Sequence, residues 1–186
     1  MKRAFDIVLA AIGLVVAAPL IVAAVAMIRL TSPGPAIFRQ IRVGLDEKPF
    51  TCLKLRTMYC ETGDVPTHEA GASSVTPVGR LLRRFKFDEL PQLWNVLAGD
   101  MSFVGPRPCL PSQTALIAAR RVYGLYSIRP GITGVSQVAG VDMSAPEKLA
   151  ALDAAYLCDM SLAVDIRLVL ATALGSGQGD QVRPVK

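Results

Sequence analysis

The chain opens on its longest apolar run: from Ile7 to Ile28 almost every residue is hydrophobic, with Lys2, Arg3 and Asp6 before it and Arg29 after it. At about 1.5 Å per residue, a helix over this run reaches across a hydrocarbon core of roughly 30 Å. Three readings fit the segment. It is a plain spanning anchor, a secretory signal peptide, or a helix that enters the membrane and returns. Lys2-Arg3 supplies a basic leader region and Ala24-Val25-Ala26 a small-residue cleavage site, although the run is long for a signal peptide. Pro19, near its middle, removes a backbone hydrogen bond and kinks a helix. Basic residues flank both ends, with Arg29, Arg39, Arg42 and Lys48 following. A single crossing sets one basic group against the positive-inside bias, whereas a re-entrant helix keeps both groups on one face. On the residues alone, spanning and re-entrant forms both stay open.

Beyond the run the period changes. Pro35 to Arg42 and Phe50 to Met58 alternate apolar and polar residues on either side of Gly44-Leu45-Asp46-Glu47-Lys48, which predicts a β-hairpin. Glu61 to Thr76, rich in Gly, Ala, Ser, Thr and Pro, predicts a mobile loop. A basic helix follows from Pro77, with Leu81, Leu82 and Phe85 expected on one face and Arg80, Arg83, Arg84 and Lys86 around it. Such a helix either lies along an anionic membrane surface or carries a solvated charged face. Asp88 is expected to cap the next helix, with Pro91 in its first turn and Gly99 at its end. Leu149 to Leu174 has helical spacing broken near Ser161, and the polar tail from Gly175 predicts disorder.

Composition narrows the setting. The 186 residues suffice for one folded domain. They are 52% hydrophobic, with a mean hydropathy of +0.41 that points to membrane contact. A net charge of +5 suits an anionic partner, whether phospholipid headgroup, nucleotide or nucleic acid. Nucleic acid is the weakest of these, because aromatics make up only 6% of the chain and do not interleave with the basic residues. Cys52, Cys60, Cys109 and Cys158 are scattered and His68 stands alone in a polar stretch, so a zinc site lacks ligands and the thiols read as reduced.

The candidate chemistry lies in residues 88–108. Asp88 and Glu89 are adjacent carboxylates, and one can attack phosphorus while the other holds a divalent cation. Taken alone, the pair reads first as a helix start, with Asp88 as cap and Glu89 as a first-turn acid. Arg107 in Gly105-Pro106-Arg107-Pro108 sits in a stiff turn that aims a guanidinium at phosphate oxygens. Arg129-Pro130-Gly131-Ile132-Thr133-Gly134 repeats the theme; its glycines suit either close approach to a diphosphate or a turn between short strands.

Taken together, these motifs resemble the bacterial sugar transferases, the monotopic phosphoglycosyl transferases. The resemblance runs from about Lys2 to Ala173. It rests on Asp88-Glu89-Leu90-Pro91-Gln92-Leu93, Asn95-Val96-Leu97, Gly99-Asp100-Met101-Ser102, Gly105-Pro106-Arg107-Pro108, Arg129 to Gly134, Gln137-Val138 and Asp165. It implies a small catalytic-core member that moves a sugar 1-phosphate from a nucleotide diphosphosugar, usually a UDP-sugar, onto a polyprenyl phosphate. Asp88 is then the nucleophile, Glu89 the Mg²⁺ ligand, and Arg107 a phosphate-binding residue, with a nucleotide-sugar or phosphate role for Arg129 and Gln137. The implied fold is α+β and mostly helical: a re-entrant membrane helix over 1–30 kinked at Pro19, a cytoplasmic catalytic domain over 31–174 with interfacial amphipathic helices and a small hairpin, and a disordered tail over 175–186. The expected place is the cytoplasmic face of the bacterial inner membrane, against phospholipid; whether the chain forms a homodimer is left open. Two departures stand out: Ala18 precedes Pro19 where the family commonly has serine, and Val141 stands where many members carry arginine. A membrane-tethered lipid-binding or scaffolding protein without catalysis is the alternative.

Overall fold

A computed structural model describes residues 1–60 and 74–176. The first apolar run forms one helix, α1 (Lys2–Thr31), continuous through Pro19. Its buried positions, Asp6, Ala10, Ala17, Ala24 and Ile28, recur at spacings of four and seven and so form a single stripe. Most of that stripe is small, which lets the backbone lie close to its neighbours. A Cβ built on Gly13 stands only 3.2 Å from the Leu93 side chain. Ala10 packs with Cys52, Val96 and Met101, while Ala24 and Ile28 pack with Ala36, Leu55 and Leu82. Both ends of α1 therefore rest on the same body. The opposite face leaves Val8, Ile12, Val15, Val16 and Val22 exposed.

The hairpin forms as its alternation predicts. Strands β1 (Ile37–Val43) and β2 (Pro49–Leu55) pair antiparallel, from Ile37 opposite Leu55 to Val43 opposite Pro49. Asp46 and Glu47 turn the chain at φ 52° and 59°, the two left-handed residues that a tight type I′ turn requires. Glu47 accepts Arg121 Nε at 2.7 Å, which ties this turn to α4 (Thr114–Val122).

The predicted loop over 61–76 lies mostly outside the described residues, but its last residues are held. Val75 bridges to Met58, and Thr76 N donates to the Thr57 carbonyl at 3.0 Å. Thr76 then caps α2 (Pro77–Arg84), its Oγ1 accepting from Gly79 N at 2.9 Å. The expected shared face of this helix is corrected. Leu82 is buried at 2% exposure, whereas Leu81 and Phe85 stay 49% and 52% exposed. At roughly 100° per residue, neighbours such as 81 and 82 cannot share one narrow stripe, but 81 and 85 can. Gly79 sits against the hairpin's exit: a Cβ there stands 2.0 Å from the Thr57 carbonyl oxygen. Gly79→Ala is accordingly expected to destabilise the protein by about 1–3 kcal/mol through overpacking, although alanine is the better helix former. Thermal unfolding in detergent reads this directly.

Helix α3 (Gln92–Ala98) ends at Gly99 with φ 98°, as expected. Buried Asn95 docks it on β2: Leu53 N donates to Asn95 Oδ1 at 3.0 Å, and Asn95 Nδ2 donates to the Thr51 carbonyl at 2.7 Å. Two short strands, β3 (Ser102–Val104) and β4 (Gly131–Thr133), pair in parallel. Helix α5 (Val135–Val138) follows β4, and α6 (Pro146–Cys158) and α7 (Leu162–Ala173) complete the described body. The break before α7 falls at Ser161, whose Oγ accepts from Val164 N at 3.3 Å. At the C-terminal end, the Ser176 carbonyl accepts Lys86 Nζ at 3.2 Å.

The first turn of α1 is stitched to this body by its polar residues. Lys2 Nζ meets Asp165 Oδ2 of α7 at 2.6 Å. Arg3 donates to the Val96 and Leu97 carbonyls of α3 at 2.6 and 3.0 Å. Asp6 accepts from Ser102 Oγ and Phe103 N of β3, both at 3.1 Å.

Candidate active site

Asp88 and Glu89 lie in a short 3-10 turn, Phe87–Glu89, that follows Lys86 at φ 57°. This corrects the expectation that Asp88 caps α3. That helix starts at Gln92 with Pro91 at its N-cap and no side-chain cap. The left-handed Lys86 turns the chain early, and backbone bonds from Glu89 N to the Lys86 carbonyl (3.3 Å) and Leu90 N to the Phe87 carbonyl (3.2 Å) close the turn instead.

Asp88 is buried at 9% exposure. Burial pushes its pKa above the ordinary carboxylate range, and the neighbouring Glu89 charge pushes the same way. Lys54, Arg83 and Arg107 oppose that shift. Glu89 Oε1 meets Arg107 Nη2 at 2.7 Å and Lys54 Nζ at 3.4 Å. The site is thus a carboxylate pair set among three cations.

Lys54 and Arg83 are absent from the sequence-derived set. For Lys54 a signal exists: Phe50, Cys52 and Lys54 share one face of β2 by its period of two, so a lysine follows an inward cysteine. Arg83 is hidden among the three arginines of α2; its Nε donates to Thr57 Oγ1 at 2.8 Å, which anchors it beside the turn.

A cavity of about 340 Å³ opens beside the pair, lined by Glu89, Arg107, Phe103, Gln137, Val141 and Val169 among others. Its wall is mainly apolar, and its ionic residues are Lys86, Glu89, Arg107 and Asp142. Gln137 stands in this wall and donates Nε2 to the Ile132 carbonyl at 2.8 Å. Arg129 is not among the lining residues. It donates Nε to the Gly99 carbonyl at 2.7 Å, holding the end of α3. The structure therefore brings Glu89, Arg107 and Gln137 together on the cavity wall; Asp88 lies beside Glu89, Lys54, Arg83 and Arg107 but, like Arg129, is not among the lining residues.

Among the described residues, no group of three or more His, Cys, Asp or Glu side chains gathers to hold a metal. The adjacent hard carboxylates do fit Mg²⁺, which takes one or two carboxylates and fills its remaining positions with water and substrate phosphate.

Buried Asp88 and half-buried Glu89 stand among three cations, on a body whose N-terminal helix exposes an apolar face, an arrangement consistent with membrane association. The family model for bacterial sugar transferases matches residues 1–177, so the chain belongs to that family. It is 46% identical over 180 residues to the UDP-glucose:undecaprenyl-phosphate glucose-1-phosphate transferase of Caulobacter vibrioides, covering 92% of this chain and 67% of that one. It is 37% identical over 172 residues to the uncharacterized sugar transferase EpsL of Bacillus subtilis, covering 92% and 85%. It is also 36% identical over 182 residues to the UDP-N-acetylgalactosamine-undecaprenyl-phosphate N-acetylgalactosaminephosphotransferase of Aeromonas hydrophila, of which it spans 42%.

Proposed function

We propose that the protein is a phosphoglycosyl transferase that moves a sugar 1-phosphate from a UDP-sugar to a polyprenyl phosphate, the first membrane step of surface-glycan synthesis. The observation that carries this reading is the Asp88–Glu89 pair, beside Lys54, Arg83 and Arg107, at an apolar cavity. The relatives' names supply the two substrate classes. In this reading an Asp88 carboxylate oxygen attacks the sugar-bearing phosphorus. The bridging P–O bond breaks and UMP leaves with the bridging oxygen. A polyprenyl phosphate oxygen then attacks the same phosphorus, restoring Asp88 and releasing the lipid diphosphosugar. Glu89 holds Mg²⁺, which when bound offsets phosphate charge. Arg107, Arg83 and Lys54 neutralise the transferring group, because a carboxylate is a weak nucleophile without such help. Gln137 serves the donor from the cavity wall, whereas Arg129 serves by fixing α3.

The membrane arrangement follows the same reading. Lys2, Arg3 and Asp6 bond to the body that Ala24 and Ile28 also pack against, which favours a re-entrant α1 bent at Pro19 over a single crossing. The exposed Leu81, Phe85 and Trp94 then face lipid on the cytoplasmic side of the inner membrane.

Attack requires ionised Asp88, so activity is expected to fall on the acid side at a higher pH than an ordinary carboxylate would give. Lys54 lowers the Asp88 pKa, hence Lys54→Met should move that acid limb further up in pH. A pH profile of UMP release checks the direction, and an unmoved or lowered limb counts against it. The functional reading itself is tested by incubating protein in nanodiscs with Mg²⁺, UDP-sugars and polyprenyl phosphate. Lipid diphosphosugar and UMP in equal amounts are expected; neither product with any donor rejects the reading.

A further inference from the structure

The loop that carries Arg107 has an unusual backbone problem. Pro106 and Pro108 lack N–H groups, so the segment cannot pair as a strand through them. Its flanks are held by the main chain: Gly105 N to the Thr133 carbonyl, Gly131 N to the Pro106 carbonyl, and Val43 N to the Cys109 carbonyl, all at 2.9 Å. Between these anchors, two consecutive carbonyls are taken by side chains instead. Arg120 Nη1 donates to the Arg107 carbonyl at 2.7 Å, and Arg42 Nη1 donates to the Pro108 carbonyl at 2.8 Å.

Both donors are deeply buried, Arg120 at 2% exposure and Arg42 at 6%. Sequestering a guanidinium is costly unless its donors are met; each is braced, with Arg120 Nε alone of these donors left without a partner. Arg120 Nη2 meets Asp153 Oδ2 at 3.0 Å, and Asp153 Oδ1 accepts Ser136 Oγ at 2.7 Å. Arg42 donates Nε to Gln40 Oε1 at 2.8 Å, with a second bond from Nη2 to the same oxygen. Ser136 lines the cavity together with Arg107, so the Ser136–Asp153–Arg120 chain links one lining residue to the backbone of another.

We propose that Arg120 and Arg42 are positioning residues: two buried forks that grip the consecutive carbonyls of Arg107 and Pro108 and so aim the Arg107 guanidinium at the transferring phosphate. The phosphate rests on the functional reading above, but the clamp does not. A fixed fork matters because lysine cannot bond in two directions with the same rigidity, and a misplacement of about 1 Å at a reacting group can cost on the order of 100-fold in rate.

The test uses charge-preserving variants in the full chain, in nanodiscs: Arg120→Lys and Arg42→Lys, each alone and combined with Arg107→Lys. Amide exchange read by mass spectrometry should rise selectively over the peptide spanning residues 103–110, while the hairpin over 37–55 keeps its protection in Arg120→Lys. Unchanged exchange over 103–110 overturns the clamp whatever the activity shows. In transfer assays, each single variant should lower kcat/KM for the donor by about 10- to 100-fold, yet by less than about 3-fold when Arg107 is already lysine. Equal losses in both backgrounds would mean that the two arginines act on the fold at large rather than through Arg107. Should Arg120→Lys fail to fold, Arg42→Lys carries the same comparison. Wild-type protein without turnover rejects the transferase reading, and the exchange result still decides the clamp.

Discussion

Asp88→Asn is expected to abolish transfer, by on the order of 10³-fold or more, while making the protein harder to unfold at neutral pH. The two effects share one cause. Burial and the Glu89 charge raise the pKa of Asp88 in the folded state. Below the unfolded carboxylate value of about 3.9 the group is protonated in both states and costs nothing. As pH rises through that value and then through the raised folded value, the fold must bury a charge that the unfolded chain leaves in water. The penalty builds between the two values and is complete only above the folded one. Asparagine never ionises, so its gain in melting temperature should be largest near pH 7 and shrink towards pH 4. Lys54, Arg83 and Arg107 offset part of the penalty, so the gain should grow when Lys54 is also removed. Equal melting of wild type and variant at pH 7 would contradict this account of the site.

The second large effect is structural. Arg120 and Asp153 are each 2% exposed and paired at 3.0 Å. Asp153→Ala leaves the guanidinium buried without its counter-charge, and the expected loss is about 3–5 kcal/mol. Against a typical total of about 5–15 kcal/mol, that is a large share. Replacing both partners, as Arg120→Met with Asp153→Leu, should recover most of it, since no uncompensated charge remains. Chemical unfolding in detergent separates the cases, and a loss below about 1 kcal/mol for Asp153→Ala would show that the pair is not a buried unit.

Local features were the ones legible in sequence. The hairpin could be read from its alternation, the end of α3 from Gly99, and the break near Ser161 from its interrupted helical spacing, because each depends on residues within one turn or strand. The stiff turn around Arg107 was legible for the same reason, but not what holds it. Arg42 and Arg120 reach it from positions far along the chain, and no periodicity marks such a pairing. Asp6 is similar: read alone it is a charge flanking an apolar run, and only the fold shows it bonded to Phe103. The face of α1 that packs was hidden because the run is apolar all round; small residues at Ala10, Gly13, Ala17 and Ala24 were its only sign. Capping propensity misassigned Asp88, since the left-handed Lys86 ends the preceding helix and leaves a 3-10 turn where a regular helix start was expected. Arg129 looked like Arg107 by motif, yet its guanidinium turns to Gly99 rather than into the cavity.

The central claim is the covalent role of Asp88, and intact-protein mass spectrometry tests it most directly. Protein in nanodiscs is given Mg²⁺ and a panel of UDP-sugars without lipid acceptor. The account predicts a sugar-phosphate adduct on the wild type, its mass giving the sugar class, absent from Asp88→Asn and discharged when polyprenyl phosphate is added. Transfer to polyprenyl phosphate with no adduct at any time, or an adduct that persists in Asp88→Asn, would contradict it.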